Sequence, residues 1–292
     1  MPRCAFLTLE DPTGYVMDDD LAIAPLAKRG WQVETVPWNR PGVDWRRFER
    51  VILRSTWDYQ DDPETFLAVL ESIEASGVAL DNPLDVVRWN LDKSYLRELA
   101  EQSVPTVPTH WLDRLAPGQL GGLFDRLDCD ELVVKPVLGA NAGDAFWLDR
   151  QSVAVRAAEV ESVFANKPLL AQPLVRSVLT EGEVSLVYFW GKLSHAVLKT
   201  PKGGDFRVQE EHGGRITLHD PEPSLRTLGE QILAGLERPP LYARVDCVRS
   251  DDPATPWWLM ELELIEPSLY LRLHPEAPAR FADAVVARPE ST

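Results

Sequence analysis

Three acidic side chains late in the sequence have the spacing of a metal site. Asp246 lies in the apolar segment LYARVDCV, and Glu261 and Glu263 lie in WLMELELIEP. Because side chains two residues apart in a strand point to the same side, Glu261 and Glu263 would project together, and their charges would repel each other unless a cation joined them. Oxygen ligands without a neighbouring histidine or cysteine favour Mg²⁺ or Mn²⁺. The solvent-facing side of an amphipathic strand explains the same spacing equally well.

Two segments in the middle of the chain could bind phosphate or another anion. Lys135 ends the β-branched segment VVKP and precedes a loop of small residues, 138–144, whose backbone amides could approach a phosphate closely. Arg207 lies in a glycine-rich connection over residues 202–215 that is long enough to order over a ligand. Neither segment matches GxxxxGK[ST] or GxGxxG. Taken singly, an edge lysine and a flexible surface loop explain these features as well.

A turn of mixed character, RSTWDY, follows a predicted strand near the start of the chain. It combines a cation, two hydroxyls, aromatic rings and an acid, which suits the recognition of a small molecule. Packing of Trp57 and Tyr59 between domains is an equal alternative. The five histidines show no metal-ligand spacing and the chain has no GxSxG motif, so the sequence does not indicate a zinc site or a serine nucleophile.

The apolar periodicity predicts the elements that must position these residues. Near the start, it predicts strands over residues 4–9, 31–37 and 51–53 and helices over residues 18–29 and 64–75. This alternation is typical of an α/β unit, in which ligands bind beyond the carboxyl ends of the strands, where RSTWDY lies.

The rest of the sequence predicts a more strand-rich part. We expect strands over residues 106–111, 131–137, 145–148, 168–173, 183–190, 193–200, 241–248 and 257–264, and helices over residues 92–101, 120–127, 153–164, 225–236 and 277–287. The predicted fold class is therefore α/β followed by α+β. Boundaries near residues 85 and 167 divide the chain into segments 1–85, 86–167 and 168–292.

The composition excludes several classes of protein. The 292 residues include 30 basic and 46 acidic side chains, for a net charge of −16, and 45% are hydrophobic. Such a chain can fill real cores, and its acidity argues against general binding to nucleic acid or to an anionic membrane. Three widely separated cysteines and the lack of a membrane-spanning apolar run predict a soluble, cytoplasmic protein.

In this order, the motifs resemble those of the ATP-grasp superfamily, in its glutathione-synthetase and RimK-like branch. The matching segments span about residues 82–274 and are NLDK, VVKP, LLAQPL, EGEVSLVYF, KTPKGGDFRVQEEHGG, ARVDCV and MELELIEPS. RSTWDY, RWNLDK and MELELIEPS are similar to the subgroup that contains the D-cycloserine-forming ligase. The resemblance implies an ATP-grasp fold, with an N-terminal Rossmann-like substrate-binding domain, a central lid subdomain and a C-terminal catalytic subdomain.

The resemblance also implies roles for individual residues, with ATP and Mg²⁺ (or Mn²⁺) as cofactors. Lys93, Lys135 and Arg207 would contact the phosphates, and Lys135 and Arg207 would be catalytic. Gln172 and the Leu174 backbone would contact adenine, and Glu183 would contact ribose. The metal would bind Asp246, Glu261 and Glu263. Many relatives have Asn at the position of Glu263 and a more glycine-rich lid than LGANAGD. The departure at Glu263 keeps an oxygen ligand and adds a charge.

The implied activity is an ADP-forming ligase that joins a small carboxylate to an amine through an acyl-phosphate. For the pocket that receives these small molecules we expect Arg54, as the carboxylate holder, with Ser55, Thr56, Lys199, Glu266 and Ser268. ATP-driven intramolecular cyclisation of the cycloserine-forming kind is the alternative, and a non-catalytic nucleotide-binding regulatory protein is a further one. A homodimer is the default for such relatives.

Overall fold

The N-terminal part of the chain folds around a parallel sheet. In the computed structural model, which describes residues 1–139 and 143–287, this sheet has the strand order β2-β1-β3-β4. All six residues of β3 are buried because helices cover both faces, as is typical of parallel sheets. The elements are β1 (Arg3–Thr8), α1 (Ile23–Lys28), β2 (Gln32–Pro37), β3 (Arg50–Ser55), α2 (Pro63–Ala75) and β4 (Ala79–Asp81).

The middle of the chain forms an antiparallel sheet of order β5-β8-β6-β7. Its elements, after two helices, are α3 (Leu84–Asn90), α4 (Tyr95–Glu101), β5 (His110–Leu112), α5 (Gly122–Arg126), β6 (Glu131–Pro136), β7 (Phe146–Asp149), α6 (Val153–Val163) and β8 (Leu169–Pro173). Burial alternates along β6, where Leu132 and Val134 pack into a core with Phe124 and Phe164. The two-residue period of a strand therefore turns Lys135 to the opposite face.

The last part of the chain adds an antiparallel sheet of order β11-β10-β9-β12-β13. Its elements are α7 (Ser177–Thr180), β9 (Glu183–Phe189), β10 (Lys192–Thr200), β11 (Arg215–His219), α8 (Pro223–Ala234), β12 (Tyr242–Arg249), β13 (Trp257–Glu263) and α9 (Ala277–Val286). Helices α4 and α8 cover one face of this sheet. On the other face, Phe281 of α9 packs between β9 and Phe6 of the N-terminal sheet, so the two sheets share one core.

The predicted mixed α/β and α+β organisation is confirmed, with local differences. The helix predicted over residues 18–29 is a 3-10 turn (Asp19–Ala22) followed by α1, and the one predicted from residue 92 begins at Tyr95. Strands β4 and β11 and helix α3 were not expected. The pattern of β11 is hidden in the charged connection after residue 202, and the strand is defined by its pairing with β10.

The pairing of β8 differs from the predicted division of the chain. This strand pairs with β5 and β6, so it belongs to the central sheet, although the prediction assigned residues from 168 onward to the last segment. The partition into 1–85, 86–167 and 168–292 otherwise stays a prediction. No helix within the described residues is long and apolar enough to cross a membrane.

His195 in β10 is a buried titratable group. Its Nε2 lies 3.0 Å from the Leu269 carbonyl oxygen and its Nδ1 lies 3.0 Å from the Ser194 hydroxyl. Because a carbonyl can only accept, Nε2 carries the proton and Nδ1 accepts from Ser194. Burial lowers the pKa of His195 to about 4, from an ordinary 6.5.

This shift makes the protein sensitive to acid. Between the two pKa values the unfolded chain binds more protons than the folded one, so the free energy of unfolding falls as the pH drops from about 6.5 towards 4. We expect His195 to account for a loss of about 2 kcal/mol between roughly pH 7.5 and pH 5. Denaturant unfolding of the wild type and His195→Gln at both pH values measures this loss. Equal losses in the two proteins would contradict it.

Candidate active site

A cavity of about 210 Å³ lies where the three sheets meet. Lys135 on β6 and Arg207 in the connection after β10 line it, and the acids of β12 and β13 face it. The N-terminal part contributes Trp57 and Tyr59. The cavity therefore collects the charged groups that the sequence singled out, although they are spread over more than a hundred residues of the chain.

Two lysines meet the carboxylate of Glu261 at one side of the cavity. Lys135 Nζ lies 2.9 Å from Glu261 Oε1, and Lys93 Nζ lies 3.8 Å from the same oxygen. Lys93 also donates to the Gly139 carbonyl at 2.8 Å, next to the predicted phosphate loop. Burial alone would raise the pKa of Glu261, but the two lysines outweigh burial and hold it at about 2. The carboxylate is therefore fully ionised at neutral pH.

Asp246 lies directly across from Glu261 in the pairing of β12 with β13. It is 2% exposed, and it accepts hydrogen bonds from Ser185 Oγ at 2.6 Å and from Lys199 Nζ at 3.0 Å. Burial would raise the pKa of Asp246, but Arg244 and Lys199 hold it well below its ordinary value. Asp246 is consequently a permanent anion at the floor of the cavity.

Arg244 is a site residue that sequence reasoning missed. Its guanidinium binds Asp246, with Nη2 at 3.0 Å from Oδ2, and also pairs with Glu263. The signal was present in ARVDCV, because residues two apart in a strand share a face and Arg244 must therefore accompany Asp246. Burial raises the pKa of Glu263 to about 7, and Asp246 and Glu261 add to the rise, whereas Arg244 opposes it.

Strand β13, which carries two of the acids, is held at its outer edge by a backbone bridge between Thr106 and Leu259 and, nearer the acids, by side chains. Asn90 donates to the Leu262 carbonyl at 2.8 Å and accepts from the Leu264 amide at 2.8 Å. Tyr95 accepts from the Leu262 amide at 2.9 Å. These bonds satisfy buried backbone groups on either side of Glu263 and fix the direction of its side chain. The segment NLDK therefore positions the acids as well as supplying Lys93.

The predicted metal ligands are gathered, but each is paired with a cation. Within residues 1–139 and 143–287, no group of three or more His, Cys, Asp or Glu side chains is arranged to hold a metal ion. The donor set still has the chemistry for a divalent cation, because its carboxylate oxygens line one cavity. Asp246, Glu261 and Glu263 stay a predicted metal set.

The residues predicted for the nucleoside also line the cavity. The Gln172 amide donates to the Thr109 hydroxyl at 2.9 Å. The Leu174 amide already donates to the Glu131 carbonyl at 2.9 Å. The predicted backbone contact of Leu174 with adenine would therefore come from the Leu174 carbonyl. Glu183 forms an ion pair with Lys199, and burial nevertheless raises the pKa of Glu183.

Arg207 reaches the cavity from the glycine-rich connection. Its Nη2 lies 2.7 Å from Asp205 Oδ2, and the hydrogen bonds from Arg207 lower the pKa of Asp205 to about 2. Phe206 packs against Trp147 of β7, with ring centroids 6.3 Å apart, so the connection touches the central sheet. In the loop LGANAGD, residues 140–142 lie outside the described part of the chain.

The structure corrects the role expected for Arg54, Ser55 and Thr56. All three are buried and do not line the cavity. The Arg54 guanidinium donates to Asp19 Oδ1 at 2.9 Å and to the Pro267 carbonyl at 3.0 Å, so it is not free to hold a substrate carboxylate. Its position behind the cavity follows from β3, which is buried on both faces. Lys199, Glu266 and Ser268, by contrast, do line the cavity.

Arg272 joins two segments that border the same cavity. Its Nη1 lies 2.8 Å from Asp18 Oδ2, and its Nη2 pairs with Glu210. Val16, close to Asp18 in the chain, and Glu210 both line the cavity. Arg272 thus links the N-terminal loop to the connection that carries Arg207.

Comparisons with known proteins agree with this geometry. Residues 4–82 match the family model described as the D-cycloserine synthetase DcsG N-terminal domain. The chain is 34% identical over 282 residues to the cycloserine biosynthesis protein DcsG of Streptomyces lavendulae, covering 89% of each chain. The crystal structure of D-cycloserine synthetase DcsG superposes with a TM-score of 0.84 at 30% identity, covering 97% of this chain and 98% of that one.

More distant structures share the fold. The D-alanine–D-alanine ligase of Bacillus anthracis complexed with ATP has a TM-score of 0.69 at 15% identity, with 98% of this chain and 96% of that chain covered. The shared ATP-grasp fold thus brings the lysines and acids of this chain to one cavity. With its identity and coverage against DcsG, the chain belongs to the DcsG family of ATP-grasp ligases and is an ATP-dependent enzyme of that class.

Proposed function

We propose that the protein uses Mg·ATP to activate a carboxylate or carbonyl-type oxygen of a small amino-acid-like substrate for attack by an amine. The observation that carries this proposal is the meeting of Asp246, Glu261 and Glu263 with Lys93 and Lys135 in one cavity. Carboxylates are suited to a divalent cation and lysines to phosphate oxygens, so together they match a magnesium–nucleotide complex. When bound, the metal neutralises phosphate charge.

The chain's own residues would serve two chemical steps. In the first, the substrate oxygen bonds to the γ-phosphorus and the bond to the β-phosphate oxygen breaks, which releases ADP. Lys93, Lys135 and Arg207 stabilise the charge that develops on the phosphoryl oxygens. In the second, the amine nitrogen bonds to the activated carbon, the carbon–oxygen bond to phosphate breaks, and the amine loses a proton. Arg244, next to Ser268, is placed to stabilise the oxyanion of that step.

Intramolecular cyclisation is the second candidate function, and the similarity to DcsG over 89% of the chain favours it. One substrate would then supply both the activated carbon and the attacking nitrogen, and a cycloserine-type ring would be the product. The regulatory alternative is disfavoured because the lysines, arginines and acids needed for turnover all line the cavity. Mg²⁺, a homodimer and a cytoplasmic location remain predictions.

An ADP-release screen tests the proposal. Amino acids and their O-substituted derivatives are supplied singly and in pairs with ATP and Mg²⁺, and products are identified by mass. Release that needs two compounds supports intermolecular ligation, whereas release with one compound and loss of water from its mass supports cyclisation. Binding of Mg·ATP without ADP release in any mixture would refute both.

Arg272 is expected to couple ATP use to product formation. In Arg272→Gln, the N-terminal loop and the connection carrying Arg207 lose their ionic link, so water can reach the activated substrate. We expect the substrate KM to rise about tenfold, equivalent to roughly 1.4 kcal/mol, with ADP released in excess of product. The control is Arg226→Gln, which removes a surface arginine from α8. An unchanged ratio of ADP to product in Arg272→Gln would contradict the expectation.

A further inference from the structure

Glu266 differs from four other acidic side chains that line the cavity. Glu183, Asp246, Glu261 and Glu263 each form an ion pair with a lysine or an arginine. Among the described residues, no lysine or arginine forms an ion pair with Glu266, although it lines the same cavity. A partly buried carboxylate without a cation is unfavourable, so the position is suited to a cation that a ligand supplies.

The wall around Glu266 is largely aromatic and aliphatic. Trp57, Tyr59, Val16 and Ile265 line the same cavity as Glu266. Trp57 Nε1 donates to the Glu266 carbonyl at 2.8 Å, which fixes the backbone from which the carboxyl projects. Aromatic rings attract cations, whereas Mg²⁺ prefers to keep water ligands that an apolar wall cannot hold. An organic ammonium group therefore suits this wall better than a metal ion.

The charges elsewhere in the cavity lead to the same class of ligand. An amino-acid-like substrate has an oxygen group that must approach Lys135 and Arg244, because Lys135 is proposed to serve phosphoryl transfer and Arg244 the oxyanion of the second step. Its ammonium group would be repelled by the same cations. Within the described residues, Glu266 lines this cavity with no lysine or arginine in salt-bridge contact, and Lys93 and Arg244 act on it only from a greater distance.

We propose that Glu266 binds the protonated amino group of the substrate and so selects amino-acid-like molecules over plain carboxylic acids. This inference rests on the proposed function and specifies its substrate class. The aromatic segment WDY, which contains Trp57 and Tyr59, then contributes to selectivity by placing and surrounding the Glu266 carboxylate.

Calorimetric titration of the full chain loaded with Mg·ADP tests the inference without turnover. The probes are D-alanine and D-cycloserine, which carry an amino group, and propionate, which is D-alanine without it. We expect Glu266→Gln to weaken binding of the two amino probes at least about 30-fold, equivalent to roughly 2 kcal/mol, and to change propionate binding less than threefold. Glu266→Asp, which keeps the charge, should lose less affinity than Glu266→Gln.

The control is Glu211→Gln, which removes an exposed carboxylate from the rim of the same cavity. It should bind all three probes like the wild type. Equal affinities of wild type and Glu266→Gln for the amino probes would overturn the inference. It would also be overturned if neither D-alanine nor D-cycloserine bound to the wild type. A parallel loss of Mg·ADP affinity in Glu266→Gln would overturn it too, because Glu266 would then serve the metal. Failure of the proposed function gives a different result. Probe binding would then still depend on Glu266, but no substrate would cause ADP release in the screen.

Discussion

Glu261→Gln is expected to lower ADP release by at least about 1000-fold, equivalent to roughly 4 kcal/mol of transition-state stabilisation. The change keeps the shape of the side chain but removes the charge that faces Lys93 and Lys135. Two effects then add. The predicted metal loses a charged ligand, and the two lysines, whose ammonium groups share one oxygen of Glu261, lose the anion that holds them in place.

Steady-state kinetics with saturating Mg·ATP measures this loss. Circular dichroism and denaturant unfolding show whether the variant is folded. The matched control is Glu230→Gln, which removes an exposed carboxylate from α8 and should keep wild-type turnover. Full ADP release by Glu261→Gln would refute both the metal assignment and the importance of the lysine pair.

Arg244→Met is expected to have the largest effect on stability. Arg244 and Asp246 are 7% and 2% exposed, so the pair lies almost entirely out of water. Removing the guanidinium leaves Asp246 with Lys199 alone and leaves Glu263 without a cation in salt-bridge contact. Breaking a buried ion pair from one side typically costs about 3–5 kcal/mol, and we expect the free energy of unfolding to fall by that amount.

A double variant separates the charge effect from the loss of packing. In Arg244→Met with Glu263→Gln, the carboxylate that lost its salt bridge becomes neutral, so the pair of changes should cost less than the sum of the single ones. Urea unfolding at neutral pH gives the free energy of unfolding of the two single variants and of the double variant. Strict additivity would mean that Arg244 does not stabilise the fold through Glu263. Turnover should stay low in the two variants that lack Arg244, because Arg244 also faces the proposed reaction.

Sequence alone determined the features that depend on local periodicity. The two-residue period of a strand placed Glu261 and Glu263 on one face. The β-branched residues before Lys135 predicted a strand that ends near this lysine. Both are confirmed by the burial pattern and pairing of β6 and β13. The order of the motifs was specific enough to identify the ATP-grasp family, because a phosphate-binding cavity needs cations and acids on particular strands.

The tertiary structure decided which charges meet, since pairing partners far apart in sequence have no local signal. RSTWDY was predicted to follow a strand, but Arg54 and Ser55 belong to β3 itself. Only the packing of this strand shows that Arg54 is already bound by Asp19 and the Pro267 carbonyl. In the same way, Glu266 was expected in the substrate pocket, but nothing in the sequence indicated that its pairing differs from that of Glu261 and Glu263. Its lack of a cation became visible once the cavity was assembled, because an ion pair depends on distances in space that spacing along the chain does not specify.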